Sequence, residues 1–236
     1  MWRVTGTKHF ASGAGIASFM ITTARVVGDA VPEIFTIDMR NRDWSGSDGL
    51  ELTRSWDGVG MIATQSHAFE LVGCLAERAA MPGLFAKSAP IVGQLTPLLF
   101  AGVILGILDS ALALARASVG QRVSSLRAYE QVTWTQASNE IWLAEQAYEG
   151  ALRAVESGVG GLLAAARAKL VIAQLAESSL VSLSRVIGGA SFSRSQPFAQ
   201  WSQDVRALGF LRPPWGYAFD QLIGFEFYDT KLKAPQ

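Results

Sequence analysis

At 236 residues the chain is long enough for one large or two modest domains with a sizeable core. Half of its residues are hydrophobic and 17% are charged, a balance that excludes intrinsic disorder. Twenty basic and twenty acidic residues cancel, so no surplus of charge points to nucleic acid or to a basic partner.

Residues 1–85 read as sheet. The runs WRVTGTKHF, SFMITTARVV, EIFTIDM, LELTRSW and HAFELVGCL are short and rich in Val, Ile, Thr and Phe. Turn-forming breaks such as GDAVP and SGSDG separate them. MPG at 81–83 marks the seam, which sets domains at 1–85 and 86–236.

From about Ser88 the pattern turns helical. Residues 95–115 are apolar except for Thr96, Asp109 and Ser110, and Arg116 and Arg122 follow. A membrane span needs about 20 apolar residues, and the uninterrupted part here is only Pro97–Leu108. The segment reads as a helix buried inside a bundle, with a spanning helix kept as the alternative. EIWLAEQAYEGALRAV then sets Ile141, Ala144, Tyr148, Leu152 and Val155 on one stripe. Gly158, Gly160 and Gly161 end that helix. The next, ARAKLVIAQLAESSLVSLSRVI, is apolar around most of its circumference. Its narrow polar stripe comprises Arg167, Gln174, Glu177, Ser178 and Arg185, which predicts a helix enclosed on nearly all sides. Gly188 and Gly189 stop it, and two shorter helical pieces flank RPP at 212–214. The fold class is α+β: a partial antiparallel β domain, then an antiparallel four-helix-type bundle.

Local motifs for chemistry are scarce. Two histidines, His9 and His67, and one cysteine, Cys74, cannot build a closed His/Cys metal site. The string GVGG at 158–161 lies between helices and reads as a helix break rather than a phosphate cradle. Glu149 and Arg153 form an i,i+4 pair on a solvated face, and Trp134 and Trp142 take core positions. The lone cysteine suits a reducing compartment, and the N-terminus lacks the order of a signal peptide, so a cytoplasmic location is expected.

Four stretches, taken in order, resemble the acyl-CoA dehydrogenase superfamily. WRVTGTKHFASGA is similar to a strand-turn-strand of its middle β domain, and SWDGVGMIATQS to a later strand of that domain. GQRV at 120–123 falls where the family has an arginine after the first long bundle helix. AARAKLVIAQLAESSLVSLSRVIGGASFSRSQPFAQWSQDVRA resembles the last long helices with their Gly-Gly turn. Members carry an N-terminal helical domain and further strands ahead of the stretch that opens this chain, so the resemblance implies a chain truncated of both. It also implies a flavin, normally FAD, between β domain and bundle, a homo-oligomer whose neighbouring subunit helps complete the site, and a small-molecule substrate such as an acyl-CoA. Neither nucleic acid nor membrane is implied as a partner. Carried over by position, Phe10 and Ser12 match residues that meet the flavin ring. Arg122 matches a residue that meets the FAD diphosphate or adenosine end across a subunit interface, and Gly188 and Gly189 match a turn where bare backbone approaches the cofactor.

The departures bear on the reaction. Dehydrogenases of the family use a carboxylate base in a late Y-E-G setting, but the YEG here, at 148–150, is in the wrong helix. No catalytic residue is assigned. The tail is closer to the branch containing flavin-dependent monooxygenases, which place a histidine where this chain has Leu211. Gln200, Gln203 and Ile62 stand where arginines are usual. The first expectation is FAD-dependent oxidation of the Cα–Cβ bond of an acyl-CoA thioester. One alternative is a monooxygenase using reduced flavin, FMN included, and O2. The other is a catalytically silent subunit that completes the flavin site of a fuller paralogue in a hetero-oligomer.

Overall fold

A computed structural model describes residues 1–228. The chain forms two compact units, Met1–Ile91 and a second that begins at Val92. Its architecture is α+β, an antiparallel sheet followed by a bundle of helices.

The five β-rich runs form five strands: β1 (Trp2–Ala11), β2 (Phe19–Arg25), β3 (Pro32–Asp38), β4 (Leu50–Arg54) and β5 (His67–Arg78). The sheet order is β1-β5-β3-β2, with β4 also paired to β5. Strand β5 is the spine. It pairs with β1 from Ala76 to His67, with β4 around Leu71, and with β3 only at its far end through Arg78 and Glu77. Two register shifts in the β1–β5 ladder, at Val4/Gly6 and Lys8/Ala11, bend β1 as bulges do. Alternation along β3 sends Glu33, Phe35 and Ile37 inward, where Leu50, Phe69 and Cys74 complete the core. Buried Glu33 accepts from Arg78 Nη2 at 2.7 Å and from the Gly83 amide at 3.0 Å, which ties β3 to the chain leaving β5. Gly49 is required by geometry: its φ is +83°, and a Cβ there would lie 2.6 Å from the Val72 carbonyl.

The second unit is helical. It contains most of α1 (Leu84–Gly120), then α2 (Ala128–Ser157), α3 (Gly161–Ile187), α4 (Phe198–Phe210) and α5 (Trp215–Ile223), with a short π-helical turn at Gly224–Tyr228. The linker after α2 turns through Gly158 and Gly160, both left-handed. A Cβ on Gly161 would sit 2.9 Å from Val155 Cα, so the tight return needs glycine there. Helix α3 is the hub, with Ala165, Ala173 and Ala176 fully buried or nearly so, small enough to let neighbouring helices approach closely.

Several sequence expectations are corrected. Helix α1 starts at Leu84 rather than near Ser88. Its apolar segment is not enclosed: Leu98, Ala101, Ile104, Leu108 and Ala111 are buried on one stripe, while Leu99 and Val103 are exposed. One-sided packing cannot cover a helix that is apolar all round. Helix α3 likewise leaves Val171 and Val181 exposed beside its polar stripe. Trp142 is 56% exposed rather than core, because it lies off the stripe of Ile141 and Ala144. By length and composition alone, α1 and α3 could each cross a membrane.

Candidate functional site

At the C-terminal end of β1 the chain turns abruptly. Phe10 takes a left-handed conformation, φ +55°, which is uncommon for a bulky residue and marks a locally held geometry. The residue is 68% exposed, and its ring meets Trp56 edge-on, with centroids 6.2 Å apart. Ser12 Oγ lies 2.8 Å from Ser66 Oγ, which in turn lies 2.7 Å from Thr64 Oγ1. The Thr64 hydroxyl donates to the Met61 carbonyl at 2.8 Å, and the Gly13 amide donates to the Thr64 carbonyl at 2.6 Å. Two of the sequence stretches singled out above, residues 2–14 and 55–66, are thus brought together. A small cavity of about 120 Å³ lies beside them, lined by Phe10, Ser12, Met20 and Met39 among others. Trp56 and Ser66 were missed as partners of this corner, because nothing in local spacing links them to β1. His67 has a structural role: its Nδ1 accepts from the Trp56 amide at 2.8 Å.

The bundle brings Arg122 and Gly188 to one corner. Arg122 Nη1 donates to Glu130 Oε1 at 3.0 Å, and Nη2 makes a short bond to the Val186 carbonyl in the last turn of α3. Glu130 Oε2 also accepts from the Arg127 amide at 2.9 Å, so it caps the start of α2. The Arg127 amide, followed by the Arg122 guanidinium, holds the Glu130 carboxyl below its ordinary pKa. Gly188 has φ +86° and ψ −158°, and no atom lies within 4 Å of a Cβ built on it or on Gly189. Only Gly188 needs glycine for its backbone angles.

Each cluster has its own chemistry. In the first unit Phe10 offers an exposed aromatic face beside polar hydroxyls. In the second, a stretch of bare backbone opens to free space, next to an arginine whose five donors are not all used by its two bonds.

A third feature escaped the sequence reading. Lys169 is fully buried in α3. Its ammonium makes a short bond to the Gly209 carbonyl and a 3.2 Å bond to the Pro213 carbonyl, and lies 5.8 Å from the Trp215 ring centre. It joins α3 to the end of α4 and the start of α5, the segment that carries Leu211. Burial pushes its pKa down to about 8. A signal was available: Lys169 falls about 200° around the helix from Arg167 and the polar stripe, so a charge had to enter the packed side. In α4, Gln200 Nε2 donates to Asp204 Oδ1 at 2.8 Å. Glu226 lies 3.9 Å from Arg167, and the expected Glu149–Arg153 pair forms at 3.1 Å.

No family model matches the chain. In sequence it is 26% identical over 230 residues to the amino sugar nitrososynthase DnmZ of Streptomyces peucetius, a match covering 90% of this chain and 56% of that protein. KijD3, solved in complex with FMN and dTDP-3-amino-2,3,6-trideoxy-4-keto-3-methyl-D-glucose, matches with a TM-score of 0.75 and 22% identity, over 98% of this chain and 61% of that one. A probable acyl-CoA dehydrogenase from Mycobacterium abscessus matches with a TM-score of 0.80 and 17% identity, over 94% of this chain and 60% of that one. The chain spans a little over half the length of the nitrososynthase. Matched in structure along nearly its whole length, the chain has the acyl-CoA dehydrogenase-like fold.

Proposed function

We propose that this chain is part of a flavin-dependent monooxygenase that oxidises the amine of a nucleotide-linked amino sugar. The sequence relation to the nitrososynthase DnmZ, which runs along 90% of the chain, is the observation that carries the reading. KijD3, solved with FMN and a dTDP-linked amino sugar, supports the choice of FMN and of a nucleotide sugar. A bound flavin would supply the redox step, passing electrons to dioxygen. Phe10 would pack against the ring, and the Ser12–Ser66–Thr64 hydroxyls would meet its polar edge. Arg122 and the Gly188 turn would offer donors and bare backbone to a flavin phosphate. Oxidation at an amine nitrogen asks for no carboxylate to take a carbon-bound proton. That agrees with a tail whose Asp204 is engaged by Gln200.

Oxidation of an acyl thioester is the second reading, favoured by the likeness to the acyl-CoA dehydrogenase fold. It requires a carboxylate base, and none is assigned among the described residues.

The test is oxygen uptake by the purified chain with reduced FMN and a dTDP-linked amino sugar, followed by mass analysis of the sugar. Substrate-dependent uptake with an oxygenated sugar product supports the proposal. Anaerobic bleaching of bound flavin by an acyl-CoA, with no response to the amino sugar, overturns it in favour of the second reading. A folded chain that retains no flavin points instead to the silent subunit. Replacing Phe10 by Ala is expected to weaken flavin binding about fivefold, the value of one aromatic contact of about 1 kcal/mol.

A further inference from the structure

The hydrogen bonds at the corner where β1 ends run in one direction. Met61 takes a left-handed conformation, φ +56°, as do Phe10 at φ +55° and Gln65 at φ +45°. Three such non-glycine residues around one corner mark a backbone that its contacts hold against its own preference. The Met61 carbonyl accepts from Trp56 Nε1 at 3.0 Å, from the Thr64 amide at 3.1 Å and from the Thr64 hydroxyl at 2.8 Å.

A carbonyl has no hydrogen to give, so the single hydroxyl hydrogen of Thr64 points to Met61. Thr64 Oγ1 then meets Ser66 Oγ, 2.7 Å away, only as an acceptor, and the hydrogen between them comes from Ser66. Ser66 in turn meets Ser12 Oγ, 2.8 Å away, as an acceptor, and that hydrogen comes from Ser12. The chain runs from Ser12 to Ser66 to Thr64 to the Met61 carbonyl, and each bond polarises the next. The Ser12 amide is engaged as well, donating to the Phe10 carbonyl at 2.9 Å. Ser66 is buried and Ser12 is exposed. With both of its donors turned into the corner, Ser12 Oγ presents only lone pairs outward.

We infer that Ser66 and Thr64 fix Ser12 as a pure acceptor, so that this corner takes a ligand edge that donates an N–H and disfavours one that offers a lone pair. For the identity of that ligand the inference rests on the flavin reading above. Reduction of a flavin places a hydrogen on ring N5, where the oxidised ring carries a lone pair, and leaves the N3 hydrogen unchanged. An acceptor-only Ser12 beside N5 selects the reduced form and sets two lone pairs against each other in the oxidised one. Ser66 and Thr64 are positioning residues, acting through Ser12.

The probe is FMN, oxidised or reduced under nitrogen, titrated into the purified chain, with the midpoint potential of the bound flavin as a second readout. The parent is expected to bind reduced FMN about tenfold more tightly than oxidised FMN. That ratio raises the potential of the bound two-electron couple about 30 mV above that of free FMN. Ser66→Ala frees the Ser12 hydrogen to turn outward. Thr64→Val has the same effect one step removed, since the Ser66 hydrogen can then turn to Ser12. Each variant is expected to tighten oxidised FMN and to return the potential to near that of free FMN. Ser12→Ala is expected to weaken the reduced form alone. Two results overturn the proposal and leave the flavin reading in place: equal binding of both forms by the parent, or Ser66→Ala and Thr64→Val shifting both forms alike. Binding of neither form by the folded parent overturns the flavin reading and the proposal with it.

Discussion

Lys169 offers the sharpest test of the packing. Its side chain is fully buried, and its two hydrogen bonds run to the main-chain carbonyls of Gly209 and Pro213. Burial lowers its pKa from 10.5 to about 8. Between those values the unfolded chain holds a proton that the folded chain does not, so stability rises with pH across the window. Below pH 8 both states carry the charge, and the folded state bears the full cost of burying it. Above 10.5 both are neutral and the cost is gone. The gap corresponds to about 3 kcal/mol. Lys169→Met removes the titration while keeping a similar length. At pH 7.5 the variant sheds the buried charge but leaves two carbonyls unmatched, at about 1–3 kcal/mol each, so its net change there is small. At pH 10.5 it should be less stable than the parent by about 3 kcal/mol more than at pH 7.5. Urea unfolding of both proteins at the two pH values measures this difference, and the titration of tyrosines and other lysines cancels between them. Parallel stability–pH curves would refute the reasoning. They would mean that the carbonyls of the α4–α5 corner compensate the ammonium in full.

Other consequences follow from single contacts. Arg122→Gln removes the donor that joins Glu130 to the end of α3, so the variant should melt at a lower temperature at pH 7. The Glu130 carboxyl has a lowered folded pKa; its contribution is present above the ordinary value of 4.5 and is lost as pH falls through the folded one. The melting difference between parent and variant should therefore narrow below pH 4.5, and a constant difference in calorimetry would contradict that assignment. Gly49→Ala forces a Cβ to within 2.6 Å of the Val72 carbonyl at φ +83°. It is expected to destabilise by about 2 kcal/mol or more in denaturant titration, and a neutral result would mean that the turn before β4 differs.

Much of the fold was legible because it is local. Period-two spacing in PEIFTID, with Phe35 and Ile37 inward, specifies β3, and the period of three and four in α2 specifies its buried stripe. Glycines at 158 and 188 stop helices by adopting positive φ, a property of the residue itself. Family likeness placed Phe10, Ser12, Arg122, Gly188 and Gly189 as candidates, but it could not supply the side chains that surround them. Arg122 shows the difference. The sequence offers a lone arginine after a helix, whereas the fold turns it onto a carbonyl 64 residues away and onto the cap of the next helix.

Sequence alone determined the element types, their succession and the fold family they resemble, since propensity and periodicity act between residues a few positions apart. Tertiary structure alone decided that Ser12 meets Ser66 and that Lys169 meets the α4–α5 corner. It also decided that α1 buries a single stripe and that Trp142 is exposed. Those facts depend on strand register and on which helix face finds a neighbour. Both are settled by packing between distant segments, about which a local pattern carries no information.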